Sequence, residues 1–244
     1  MRLLVFLALS ISAINLAHAF PLATNSDHIN FLDYSAGAER KQAFIAYLKP
    51  IIEEKNQSLF HDRQKLIHLS QKSKLNIREQ RWLKHISQKY NNDSFNSDNS
   101  SHWSVLLDKV DIIPVTLALA QSAKESGWGT SRFASTGNNY FGQWCYKAGC
   151  GLVPKKRSHG ANHEVARYES VKESVVAYVN NLNTNPAYKI LRDIRKQLRK
   201  ADKIISGYRL ASGLLHYSER GQVYVEEIQT LIRNIESDAL KTSG

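Results

Sequence analysis

Cysteine is scarce in this chain, with two among 244 residues. Two thiols cannot build a disulfide scaffold, and they are too few for a cysteine-based structural zinc site. Proline (5) and glycine (12) are also sparse, which excludes collagen-like and proline-rich linker architectures. Acidic residues fall short of basic ones, 22 against 33. The resulting charge of +11 predicts attraction to a polyanion without saying which. After the first few residues no apolar run approaches the roughly 20 residues that a membrane span needs. What is present has an ordinary globular balance, 42% hydrophobic and 23% charged. The length allows one domain or at most two, and its core must rest on apolar burial.

Arg2 precedes an apolar run from Leu3 to Leu9, extended by Ile11 to Leu16 and closed by Ala17-His18-Ala19. A basic start, a short apolar stretch and a small-x-small ending read as a signal peptide over 1–19, so the mature chain begins at Phe20. Ser10, Ser12 and Asn15 interrupt the run and argue against a membrane anchor. Export to a periplasmic or envelope compartment favours a disulfide between Cys145 and Cys150, five residues apart, over two free thiols. Such a bridge contributes a few kcal/mol at most; its use is to fix a loop.

Phe44, Leu48, Ile51 and Ile52, then Leu66 and Leu69, then Ile77, Leu83 and Ile86 recur at helical spacing. Residues 20–90 therefore read as a helical extension. Ten of the twelve residues from Asn91 to His102 are Asn, Asp or Ser, a linker signal, and the main domain is placed at 103–240. It opens with a helix over 112–126, with Asp111 as its cap and Pro114 in its first turn. A hairpin follows: Leu152 and Val153 enter, 158–162 turn, and Glu164 to Tyr168 alternate out. Ser170 to Glu173 form a capping box for the next helix. Further helices begin at Pro186 and around Tyr224. The fold class is α+β, mostly α, with one small β lobe.

The segment from Ala120 to Gly129 carries the chemistry. Glu125 falls in the last turn of an apolar helix, at the negative end of its dipole, where a charged carboxylate is disfavoured. Partial burial acts in the same direction. A carboxyl kept protonated near neutral pH is what a general acid requires. Two glycines allow a sharp turn beside it, and Trp128 offers a flat apolar surface of the kind sugars stack on.

Gln121-Ser122-Ala123-Lys124-Glu125-Ser126-Gly127-Trp128-Gly129, followed by Gly137-Asn138-Asn139-Tyr140-Phe141-Gly142, resembles the signature of the glucosaminidases of glycoside hydrolase family 73. Val165 to Ser174, Asn185-Pro186-Ala187-Tyr188 and Tyr217 to Tyr224 follow in that family's order, so the likeness runs from about Trp103 to Ile235. The resemblance implies a lysozyme-like domain that cleaves the β-1,4 bond after N-acetylglucosamine in peptidoglycan glycan strands, without a cofactor. Glu125 matches the family's catalytic acid. Glu164, at the start of the returning strand, is the nearest match to a second carboxylate; Glu169 is a weaker one, and Glu173 reads as a helix cap. Tyr188 matches a tyrosine of the sugar groove. Tyr224 matches a second such tyrosine, although Gly221-Gln222-Val223 replaces the usual residues before it. Two mechanisms stay open: Glu164 as base on a water, or attack by the substrate's own 2-acetamido group.

Tyr140 and Trp144 can stack on sugar or anchor the loop beneath the groove, and Phe141 reads as core. Between Pro186 and Arg209, eight Lys or Arg face two Asp. Lys189, Arg192, Lys196, Arg199 and Lys203 form one stripe opposite Ile190, Ile194 and Leu198, which reads as a solvated face. Its functional reading is electrostatic association with an anionic envelope surface. Export disfavours a nucleic-acid partner. His159 and His163 form a loop pair without a third ligand, so no metal is expected. The rival functions are a lytic transglycosylase on the same glycan and a non-catalytic envelope-binding module.

Overall fold

The computed structural model describes residues 29–154 and 163–242. The signal segment and the hairpin turn with His159 lie outside the described residues. Ahead of the first α-helix, a short 3-10 turn at Phe31–Asp33 buries Phe31. Helix α1 (Ala38–Ser70) buries Phe44, Leu48, Ile52, Lys55, Leu59, Leu66 and Leu69 on one stripe. That spacing of three and four keeps one face of a long helix against the core.

Helix α2 (Ile77–Lys89) starts at a full capping box, in which Asn76 accepts from Glu79 N and Glu79 bonds back to the Asn76 amide. Helix α3 (Ser100–Lys109) is capped by Asn99. The Asn/Asp/Ser-rich stretch expected to link two parts is thus turns up to Asn99 and helix after it. These residues are helix cappers as much as linker formers, and here several of them cap. Trp103 Nε1 donates to the Ser97 carbonyl at 2.8 Å, and Phe95 meets the Trp103 ring edge-on at 5.1 Å. The stretch is pinned to α3.

Helix α4 (Val115–Ser126) is central: everything from Leu117 to Ala123 is buried, and α1 packs against it. Its N-cap is Pro114, which corrects the expectation that Asp111 caps a helix from 112. Asp111 is instead buried, with Arg199 donating to both of its oxygens at 2.9 and 2.6 Å. A cap needs only a weak acceptor, whereas three guanidiniums around one carboxylate form a far stronger site. After α5 (Arg132–Gly137) come three short strands, β1 (Trp144–Cys145), β2 (Gly151–Leu152) and β3 (Glu164–Ala166). The sheet order is β1-β3-β2, antiparallel throughout, with Cys145 opposite Glu164 and Leu152 opposite Val165. The predicted hairpin is present, and its returning strand is the middle of the sheet.

Helix α6 (Val171–Thr184) begins where Ser170 Oγ accepts from Glu173 N. A 3-10 turn at Pro186–Tyr188 leads into α7 (Lys189–Lys200), then α8 (Gly207–Ala211) and α9 (Gln222–Thr242). Helix α9 packs along α4.

In and just after α7 the predicted facing holds for Lys189, Arg199 and Lys203, which are exposed, and for Leu198, which is buried; it fails at Arg192 and Ile190. Arg192 and Arg195 are 8% and 1% exposed, while Ile190 is 46% exposed. The buried face is Leu191, Arg192, Arg195 and Leu198. Acceptors draw the arginines inward: Arg192 Nη1 reaches the Leu182 and Asn185 carbonyls (2.9 and 2.8 Å), while Arg195 Nη1 reaches Ile112 O (2.8 Å) and Asn183 Oδ1 (2.7 Å), and its Nη2 reaches Asp108 O (2.7 Å). Of the stripe, Lys189 pairs with Asp193 and Lys196 with Asp108.

The N-terminal extension shares one apolar core with the rest, since Phe31, Phe44 and Leu48 join Leu117, Tyr140, Tyr178 and Ile228 in a single cluster. Gly129 shows how close this packing is. It sits at φ +81°, and a Cβ there would overlap the Phe31 ring. Both the backbone and the space require glycine.

Candidate active site

Helix α4 ends at Gly127, whose backbone is left-handed. Glu125 in the last turn is half-buried. Its Oε1 accepts from the Tyr224 hydroxyl of α9 at 2.8 Å. That hydroxyl accepts from Gln121 Nε2 at 2.9 Å, and Gln121 Oε1 accepts from the Tyr178 hydroxyl of α6 at 2.7 Å. Every donor in this chain points toward the carboxyl. Gln121 precedes Glu125 by four residues, so both leave one face of α4. The second oxygen is hemmed in by backbone. Gly142 has φ +64°, and a Cβ there would lie 3.2 Å from Glu125 Oε2.

Burial raises the Glu125 pKa above the usual carboxylate value; the Tyr224 hydrogen bond and the Lys124 charge offset only part of the rise. Lys124 is itself tied to Glu227 at 2.7 Å. Burial, with the Glu125 charge adding to it, also drives Tyr224 well above the ordinary phenol value, so the hydroxyl stays a donor.

A tyrosine wall stands beside the carboxyl. Tyr217 stacks on Tyr224 with centroids 5.5 Å apart, and Tyr188 lies 5.9 Å from Tyr217. Tyr217 donates to the Phe141 carbonyl at 2.8 Å, and Phe141 stacks on Tyr178 at 4.0 Å. The turn before β1 is thereby fixed to the wall. Glu125, Tyr188 and Tyr224 are brought together, but Tyr188 and Tyr224 are buried, which corrects the expectation that their rings line a sugar groove: packing on Tyr217 takes up that surface. Tyr178, Tyr217 and the orienting use of Gln121 went unassigned in the sequence. Gln121 carried a signal in its spacing from Glu125; Tyr178 sat among valines and carried none.

Trp128 and Tyr140 contact the N-terminal extension. Trp128 meets Phe44 edge-on at 5.5 Å, with Lys41 Nζ 5.4 Å from its ring. Tyr140 is 3% exposed and packs on Phe31 and Phe44. The extension covers the Tyr140 ring, so Tyr140 is core, while Trp128 stays half-buried. Trp144 is 55% exposed and lies flat on His163, 4.1 Å away.

Cys145 and Cys150 form a disulfide. Glu164 is buried on β3, and its two oxygens accept from Gly149 N (3.1 Å) and Gly151 N (2.8 Å). Carboxylate and disulfide together hold the 145–151 loop. The two sulfurs and the Glu164 carboxylate lie within 4.8 Å of one another, but bonded sulfurs are not thiolate ligands.

Residues 100–237 match the glucosaminidase family described as mannosyl-glycoprotein endo-beta-N-acetylglucosaminidase. Protein bax of Escherichia coli (strain K12) is 38% identical over 191 residues, covering 78% of this chain and 68% of that protein. No solved structure matches the chain. The chain belongs to the glucosaminidase family of glycoside hydrolases. Glu125 and the three tyrosines beside it fall inside the matched span. Among the described residues no helix is long and apolar enough to cross a membrane.

Proposed function

We propose that this chain is an exported peptidoglycan hydrolase that cleaves the β-1,4 bond after N-acetylglucosamine, with Glu125 as general acid. The observation that carries this reading is the Glu125 carboxyl itself. It is half-buried, raised in pKa by that burial, and aimed by Tyr224 at the end of a directed hydrogen-bond chain. A carboxyl that holds its proton more tightly than an exposed one is suited to deliver it to a departing sugar oxygen. Trp144 supplies exposed aromatic surface for a sugar to meet, whereas Tyr188 is buried. The net charge of +11 supports retention on an anionic envelope, weakening as salt screens it.

The second group is better sought in the substrate. For Glu164 to act as base it would have to give up the two loop amides that it accepts from. Attack by the 2-acetamido group makes no such demand.

Digestion of purified sacculi, followed by mass spectrometry of the soluble fragments, tests the reading. N-acetylglucosamine at the new reducing ends is expected. Ends carrying 1,6-anhydro-muramic acid would instead identify a lytic transglycosylase, and binding without release would identify an envelope-binding module.

Tyr224→Phe gives a second, sharper expectation. The Tyr224 hydroxyl stabilises the charged form of Glu125, so its loss raises the Glu125 pKa further. The acid must be protonated to work, so the alkaline limb of the kcat/KM profile should move to higher pH. Leaving the Gln121 amide unsatisfied should also cost about 1–3 kcal/mol of stability. An unmoved limb would show that another group sets it.

A further inference from the structure

A cavity of about 420 Å³ opens between α1, α3 and α7, and none of its lining residues belongs to the Glu125 cluster. Six cations line it: Arg63, Arg192, Arg195, Lys196, Arg199 and Lys200. Two carboxylates oppose them. Asp111 meets Arg199 at 2.6 Å, Arg63 at 3.4 Å and Arg195 at 3.8 Å, and Asp108 meets Lys196 at 2.5 Å. Among the described residues, the Arg192 guanidinium donates to the Leu182 and Asn185 carbonyls. Lys200 is exposed and makes no ion pair or hydrogen bond among the described residues. The concavity therefore carries a clear surplus of positive charge, part of it in buried guanidiniums. Burial draws the Arg195 pKa downward, with Arg63, Arg192 and Arg199 adding to the effect and Asp111 opposing it.

We propose that this cavity binds a small organic phosphate. A carboxylate brings one charge, whereas a phosphate monoester brings nearly two, with three acceptor oxygens that match guanidinium forks. The volume falls in the range of small-ligand pockets, about 300–1,000 Å³, and is far larger than a phosphate group alone requires. Trp103 and Leu107 give an apolar wall for the organic body, and Ser100 and Ser104 offer hydroxyls. Arg63 also donates to the Leu107 and Val110 carbonyls, so a ligand here would draw α1, α3 and α7 onto the segment that leads into α4.

The test is calorimetric titration of the full mature chain with inorganic phosphate, pyrophosphate and glucose 6-phosphate at constant ionic strength, alongside thermal unfolding. One-to-one binding of glucose 6-phosphate with a raised unfolding temperature is expected. Lys200→Glu, an exposed change at the cavity, should weaken it by about tenfold or more. Lys203→Glu, equally exposed but outside the lining, should leave it unchanged. Absence of binding by all three probes would overturn the proposal. So would equal weakening by both variants, which would reveal a diffuse field, or binding only to phosphatidylglycerol vesicles, which would reveal a surface. Failure here leaves the glycosidase reading untouched, because the readout is binding and the residues are separate.

Discussion

Glu125→Gln should reduce release of soluble fragments from sacculi by about 10²–10⁴-fold, the usual worth of a positioned proton donor. The variant should fold, because an amide oxygen can still accept from Tyr224. Its stability should change in a direction that marks the site. Burial raises the Glu125 pKa above 4.5, so the folded chain holds this proton more tightly than the unfolded chain does. The stability this gives is fully present below the ordinary carboxylate pKa and is lost as pH rises through the folded value. Glutamine has no such loss. Thermal unfolding should therefore favour the variant at neutral pH relative to wild type, with the advantage shrinking toward pH 4. Lost activity with gained stability separates a working carboxyl from a structural one. Glu164→Gln should cost much less activity, through a looser 145–151 loop. A loss as deep as that of Glu125→Gln would make Glu164 the base and overturn the acetamido route.

What could be read from the sequence was what is local. Helix periodicity and the Ser170–Glu173 cap act within a few residues and appear where expected; the returning strand is also present, but Glu164, Val165 and Ala166 are all buried rather than alternating. Glu125 was legible because its helix end, its glycines and its neighbours lie in one segment. The aromatic residues were not legible in the same way. Trp128 and Tyr140 have the right chemistry for a sugar platform, but whether a ring faces a groove or a core depends on a helix about 90 residues earlier in the chain. The same limit hid the facing of α7. A charge stripe reads as solvated unless acceptors wait for one of its members, and those for Arg192 are the carbonyls of Leu182 and Asn185 at the end of α6. Tyr178 donates to Gln121 across 57 positions; no local pattern marks such a partner.

Asp111→Ala should be among the most destabilising single changes in the chain, about 3–5 kcal/mol by denaturant unfolding. Removing one member of a buried charge group leaves the others uncompensated. Asp111 is 2% exposed, and its loss would leave Arg195, Arg199 and Arg63 facing one another. Burial alone would raise the Asp111 pKa. The Arg199 hydrogen bonds and the charges of Arg195, Arg63 and Arg199 outweigh burial and hold it below 3.8. The sign follows: the folded chain binds this proton more weakly, so the contribution is present above the ordinary Asp pKa and is lost as pH falls through the lowered folded value. The gap between wild type and Asp111→Ala should then be wide at neutral pH and narrow only in strong acid, opposite in direction to the Glu125 effect. A loss below about 1 kcal/mol, an ordinary surface-pair value, would mean that the carbonyls of Asp108 and Ile112 and the Asn183 amide already satisfy Arg195. In that case the carboxylate would not be what fastens α7 to the approach of α4, and the positive surplus of the cavity would stand without it.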